Sequence, residues 1–366
     1  MGALRSRRGR ALLELLGPVG LLVLVGIAGS ALSLARQQDV LLALVQATAV
    51  IGIWIFVGTS GVLSFGHIAF VALGAFTAGV LTIPAATKPF VMPELFGVLR
   101  DAEVGNLTSL ALAAAAGALL ALVTGSALMR LGGLAAGIAT FAVLEIVHNV
   151  LRNWDKIGPG PTTLSLVPTS TTMTQATAGA VLAAVVAWGY GRTRSARRLR
   201  AAREDEPAAL AIGVRVYRER LTAFVLSGAV AGLAGGLLVH QLGSITSEQV
   251  YLELTFLTLA MLVVGGTGSL WGATVGALLV SGLDSVLSRA EGGALPDGAS
   301  FVVLGLLMLL VLVLRPRGLT GGREFALPGR LGGAGASAAG PPGADPLSGP
   351  AAAAGPPGAP VGVPRP

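Results

Sequence analysis

GTSGVLSFGHIAFVALGAF, residues 58–76, sets four glycines, three hydroxyl side chains and a histidine between two apolar runs. An unpaired amide in hydrocarbon costs several kcal/mol, so irregular backbone at membrane depth survives only where it is buried in protein or lines a cavity. The stretch therefore reads as an inward-facing break in a membrane bundle. Gly58, Gly61 and Gly66 mark the break, Ser60 and Ser64 return hydrogen bonds to the freed carbonyls, and His67 reaches across to a neighbouring helix. The competing reading is a close-packing face, where glycines let helix backbones approach.

Composition establishes that the surroundings are a membrane. Of 366 residues, 53% are hydrophobic and 12% charged, with a mean hydropathy of +0.78, whereas a soluble domain carries about 25% charged residues. Apolar runs near the roughly 20 residues needed to cross a bilayer core recur at 11–34, 41–57, 62–83, 107–129, 132–151, 175–191, 220–242, 250–266, 269–289 and 300–314. They predict an all-α polytopic membrane protein of about 8 to 10 transmembrane helices, with broken or Gly-rich helices near a path. The basic start followed by 11–34 is too long for a cleaved leader and lacks a small-residue cleavage site, so it is expected to be a retained first helix.

Net charge is +7, but its placement excludes nucleic acid as a partner and points to the lipid bilayer. With a cytoplasmic N-terminus, 18 of the 25 Lys and Arg fall inside: Arg5 to Arg10, Arg130, Arg192 to Arg220, and Arg315 to Arg330. That is the asymmetry of the positive-inside rule. It puts both termini in the cytoplasm and the chain in a plasma or inner membrane. The expected organisation is a basic cytoplasmic N-terminus over 1–10, a transmembrane domain over 11–318 with a cytoplasmic loop at 192–219, and a tail over 319–366. That tail, rich in Gly, Ala and Pro, cannot bury enough apolar surface to offset its ordering entropy and is expected to be disordered.

A second stretch, GGTGSLWGATVGA (265–277), echoes the first. Paired glycine-interrupted segments in the two halves of a transporter point to its translocation path. Close packing competes here too, because Gly268, Gly272 and Gly276 recur every four residues, as do Gly228, Gly232 and Gly236. Among intramembrane ionisable groups, Glu145 and His148 lie three apart on one helical face. They read either as a proton relay or metal pair, or as an inward hydrogen bond that fixes the orientation of their helix.

No catalytic residue, metal or cofactor is expected. Cysteine is absent, which removes thiol and zinc-thiolate chemistry. The only lysines, Lys88 and Lys156, stand in no Gly-Lys-Ser/Thr phosphate loop, so any ATP that drives the protein is bound by another subunit. The loop RRLRAAREDEPAALAIGVRVYRER carries acids, Pro207 and AALA ahead of Gly213, the usual arrangement of a capped short helix. Exposed Leu210 and Ile212 would make that helix a handle for a cytoplasmic partner, or let it rest on lipid.

Four blocks, GTSGVLSFGHIAFVALGAF, LMRLGGLAAGIATFAVLEIVHNVLRNWD, AAREDEPAALAIGVRVYRERLTAFVLSGAVAGLAGGL and GGTGSLWGATVGA, resemble the membrane permeases of branched-chain amino acid ABC importers, of the LivM type, over about residues 52–318. The resemblance implies a permease subunit for leucine, isoleucine and valine that works by alternating access. It also implies a second homologous permease, two cytoplasmic ATPase subunits and an extracytoplasmic substrate-binding protein as partners. Carried onto this chain, the path is expected at Gly58, Gly61, Ser64, Gly66, His67, Glu145, Gly265 and Gly268. The ATPase coupling segment is expected at Arg203, Glu204, Glu206, Ala208, Ala209 and Gly213. The family's Thr-Gly-Gly appears here as IGPGPTT, a departure that bears on cargo. Urea, short amides or another small polar solute form the alternative, followed by a stand-alone secondary transporter and an intramembrane enzyme.

Overall fold

A chain of predominantly apolar runs can satisfy its backbone in hydrocarbon only through helices or a closed barrel, and this one uses helices. The computed structural model describes residues 2–291, 296, 298–315, 317–322 and 324. Among the described residues, fourteen helices follow in order: α1 (Gly2–Ser30), α2 (Leu34–Ser60), α3 (His67–Thr82), α4 (Lys88–Val91), α5 (Gly97–Asp101), α6 (Asn106–Leu128), α7 (Gly133–Asn153), α8 (Met173–Gly191), α9 (Arg194–Glu204), α10 (Glu206–Ala211), α11 (Val216–Leu242), α12 (Leu252–Gly265), α13 (Leu270–Glu291) and α14 (Ala299–Leu314). Each expected apolar run is the body of one helix, and an isolated antiparallel bridge joins Leu164 to Ile245. Five helices are long and apolar enough to cross a bilayer by length and composition: α2, α6, most of α7, α11 and α13. The protein is an all-α polytopic membrane protein.

Two helices form the centre. A helix that is apolar all round is a buried one, and 89% of the apolar window of α2 is enclosed against 28% for α6. α11 lies beside it, packed on α2, α3 and α6, and Ser227 donates to the Gly52 carbonyl at 2.7 Å. The contact of α11 with α6 needs glycine: a Cβ on Gly232 would stand 2.3 Å from the Ala113 carbonyl oxygen, and one on Gly117 2.3 Å from that of Gly228. Packing thus accounts for Gly228 and Gly232.

Two of the shorter apolar helices, α3 and α12, border the glycine-rich breaks. α3 has 16 residues and α12 has 14, against 27 in α2; at 1.5 Å per residue α3 spans about 24 Å, less than a hydrocarbon core of about 30 Å. The span expected over 62–83 therefore begins as helix only at His67, and residues 61–66 cover the remaining depth without helix. Gly61 ends α2 at φ 72°, the left-handed cap that glycine adopts at least cost.

Contacts sort the connections into two ends. At the basic end Arg192 pairs with Glu14 at 2.6 Å, and Arg220 pairs with Glu206 at 2.8 Å. At the opposite end Arg289 pairs with Asp39, and His240 meets Ser109 at 2.9 Å. The opposite end also holds Lys88, fully buried, whose Nζ donates to the carbonyls of Leu99 at 2.8 Å and of Ala102. Burial pushes its pKa down, and the carboxylates of Glu103 and Asp101 counter that shift.

The first residues of the expected tail belong to the fold. Leu319 donates to the Val264 carbonyl at 2.9 Å, and Thr320 Oγ1 to that of Gly265 at 2.9 Å. Most of the remainder, 325–366, lies outside the described residues.

Candidate functional site

The site is built where the first break meets the loop. Ser60 Oγ donates to the Phe56 carbonyl at 2.7 Å and accepts from Val62 N–H at 3.2 Å, so one expected serine does return a hydrogen bond to the helix it closes. Ser64 instead meets His67 Nδ1 at 2.7 Å. His67 does not reach across by hydrogen bonding; its ring lies among Phe56, Phe70 and Phe224, with centroids 5.4 to 5.7 Å away, and its Nε2 has no partner. It anchors the start of α3 by aromatic packing.

The break leans on α7. Phe65 N–H donates to Thr140 Oγ1 at 3.2 Å, and a Cβ on Gly66 would lie 2.2 Å from the Thr140 carbonyl oxygen. Thr140 is seven residues into α7, roughly 10 Å from its start, so Gly66 sits well inside the bundle. Gly61 and Leu63, by contrast, are exposed.

Arg203, in the last turn of α9, closes the other side. Its guanidinium donates to the Gly58 carbonyl at 3.1 Å, and its aliphatic stem covers Gly61 so closely that a Cβ there would stand 2.8 Å from it. The second break arrives at the same place: Trp54 Nε1 donates to the Thr267 carbonyl at 3.0 Å. Gly61, Leu63, Arg203, Thr267 and Arg317 frame a cavity of about 280 Å³. Thus Gly58, Gly61 and Arg203 form one cluster with Thr267, the neighbour of Gly265 and Gly268.

Gly265 and Gly268 have a different character. A Cβ on Gly265 would lie 2.0 Å from the Gly272 carbonyl oxygen, and Gly268 faces Gly322. Residues 317–322 lie across this break, and Glu324 accepts the N–H groups of Leu270 at 3.0 Å and Trp271 at 3.4 Å, capping α13. Burial raises the Glu324 carboxyl above its usual range, and those two amides lower it in part.

Glu145 stands far from this cluster, toward the opposite end. It takes hydrogen bonds from Asn149 at 2.7 Å and from the Tyr251 hydroxyl. His148 does not pair with Glu145: it stacks on Tyr251 at 3.9 Å and approaches Glu248 at 3.5 Å. Together these contacts tie α7 to the segment before α12, and no group of metal-binding side chains occurs among the described residues.

The coupling segment proves to be two helices. Asp205 breaks the chain between α9 and α10, and its carboxylate accepts Ala208 N–H at 3.0 Å. Pro207 occupies the first turn of α10, and Gly213 follows it at φ 83°. Ala209 is buried, Ala208 and Glu204 are exposed, and the Glu206 carboxylate is held by Arg220 within this chain. Leu210 and Ile212 are 55% and 78% exposed, so the tip of α10 is apolar and unpacked.

Sequence reasoning passed over Trp54, Thr140, Tyr251, Glu248 and Arg317. Trp54 carried a signal, since an indole N–H within a buried apolar helix needs an acceptor; the others are identified only by what lies opposite them.

The sequence profile described as branched-chain amino acid transport system / permease component matches residues 37–312. The high-affinity branched-chain amino acid transport system permease protein LivM of Escherichia coli (strain K12) is 29% identical over 303 residues, covering 74% of this chain and 66% of that protein. LivM of Salmonella typhimurium is 28% identical over the same shares. The chain therefore spans a little under two thirds of these relatives. The autoinducer 2 import system permease protein LsrC of Enterobacter sp. (strain 638) is 34% identical over 141 residues, 37% of this chain and 40% of that protein. No solved structure matches. With its glycine-broken helical bundle and a family profile that runs from the first residues of α2 into α14, the chain belongs to the permease component family of branched-chain amino acid transport systems.

Proposed function

We propose that this chain is the membrane permease subunit of an ATP-driven importer in a plasma or inner membrane, with both termini cytoplasmic. Its cargo is a branched-chain amino acid, and it works beside a second permease, two ATPase subunits and an extracytoplasmic binding protein. The observation that carries the reading is Arg203. One side chain links the loop helices to the Gly58 carbonyl and to the left-handed cap at Gly61, so a push on α10 reaches the break through α9 without crossing lipid. Gly58 and Gly61 then form the moving inner part of the path, and Ser64, Gly66 and His67 its anchored end. Gly265 and Gly268 form its fixed neighbour, and Glu145 lies on its wall toward the other side. The match to an autoinducer 2 permease favours a second reading in which the cargo is a different small polar solute on the same machine.

The test is ATP-dependent uptake of labelled leucine in vesicles carrying the whole complex. Glutamate at both Leu210 and Ile212 is expected to release the ATPase in co-purification while the permease stays monodisperse. Retained ATPase, or uphill uptake by this chain alone without nucleotide, rejects the proposal. ATP-driven uptake of another solute and not of leucine selects the second reading.

A further inference from the structure

A second cavity at the basic end, of about 510 Å³, lies between α1, α2, α8, α9 and the start of α13. Its volume is that of a small-molecule site, and its walls are charged and aromatic: Glu14, Trp188, Arg192, Arg197, Arg200 and Glu324 line it. The acids are already engaged. Glu14 is paired with Arg192, and Glu324 accepts the two amides that open α13. Arg200 gives one N–H to the Gly191 carbonyl, while Arg197 stands exposed on the next turn. Among the described residues neither Arg197 nor Arg200 forms an ion pair, although the Arg200 charge acts on the Glu324 carboxyl across the cavity.

The walls toward the bilayer are apolar. On α8, Val185, Trp188 and Arg192 share a face by their spacing, with Val185 41% exposed and the Arg192 guanidinium 4.4 Å over the Trp188 ring. A tryptophan between charged and apolar zones marks the membrane–water interface, and basic pockets between spanning helices at that level suit lipid phosphates.

We propose that this cavity seats the phosphate of an anionic phospholipid from the leaflet at the basic end. Arg197 and Arg200 hold the phosphate, Trp188 stands at the glycerol level, and the acyl chains run along Val185. A bound lipid would brace α9, and hence Arg203, against α1 and α8.

Quenching of tryptophan by brominated lipid tests this on the full chain in phosphatidylcholine nanodiscs. A minor fraction of brominated phosphatidylglycerol is expected to quench several-fold more than the same fraction of brominated phosphatidylcholine. Most of the excess should disappear in Trp188→Phe, leaving the smaller share of Trp54, which also lines the cavity. Apparent affinity should fall about fivefold in Arg197→Gln and again in Arg200→Gln, the loss of one basic contact each, and survive in Arg197→Lys. Equal quenching by the two lipids, or an excess that persists in the double glutamine variant, overturns the proposal. So does loss of the excess on adding inorganic phosphate, which would make this a site for a free anion. Arg197 is exposed, so its single substitution tests the proposal even if the double variant fails to fold.

Discussion

Between Ser60 and His67 the backbone runs without helix for six residues and leaves Gly61 and Leu63 exposed, touched by a long flexible side chain from another segment. Between Gly265 and Leu270 the chain turns in four residues, and its glycines meet mostly backbone. Gly265 meets the Gly272 carbonyl, Gly266 the backbone of Arg317 and Gly318, and Gly268 the backbone of Gly322. Two stretches with similar glycine patterns thus do opposite work. The first is a joint that is open at Gly61, where the Arg203 side chain covers it as a lid, and closes at Gly66 against the Thr140 carbonyl; the second is a closed seam, held down by residues 317–322 and Glu324. What covers a glycine, a movable side chain or a fixed carbonyl, decides whether a break can move.

The largest effect should come from filling the seam. Gly265→Val puts a branched side chain where a Cβ already stands 2.0 Å from a carbonyl oxygen, so its cost should reach or exceed the upper end of the roughly 1–3 kcal/mol typical of an overpacked core. Membrane abundance and thermal stability in detergent are expected to collapse. Normal abundance would show the seam to be as loose as the joint.

Next in size is Arg203→Ala, which removes the lid without touching the seam. Uptake by the complex is expected to fall tenfold or more, equivalent to about 1.4 kcal/mol, with unchanged abundance and ATPase co-purification. Unchanged uptake would remove Arg203 from the transmission route.

Gly61→Ala sharpens the contrast further. At φ 72° an L-residue costs about 1–2 kcal/mol, and the Arg203 stem must move aside. A milder loss of uptake with near-normal abundance is expected, the inverse of Gly265→Val.

The smallest effect concerns the strap over the seam. Burial holds the Glu324 carboxyl above its usual range. A folded-state pKa above the unfolded value means that docking is strongest at pH below the unfolded value and weakens as pH rises through the raised one. Hydrogen exchange at Leu319 and Thr320 should therefore speed up with rising pH beyond its intrinsic slope, and Glu324→Gln should abolish that excess.

Much of the fold was legible because lipid constrains it so strongly. Runs such as 107–129 and 175–191 fall within a few residues of α6 and α8. α2 extends past its apolar run to Leu34, because Arg36 and Asp39 end the hydrophobicity without ending the helix. The run 62–83 was misleading in the reverse sense: Val62 and Leu63 are as apolar as any spanning residue, yet they precede the start of α3. In the site, the capping of α10 was readable, since Asp205, Pro207 and Gly213 act on their own neighbours. The pairing of Glu206 with Arg220 was not, nor was the sharing of Tyr251 by Glu145 and His148.

Hydrophobic run length, the placement of arginines and local capping residues determined by themselves that this is a membrane bundle, where its helices lie and which loop carries the short helix at its basic end. These are properties of a segment and its solvent. Which glycine is a joint and which a seam was decided only by the tertiary structure. Trp54 and Thr267 are 213 residues apart, and Arg203 and Gly58 are 145 apart. The freedom of a backbone turn depends on the atoms across from it, and packing alone brings those atoms there.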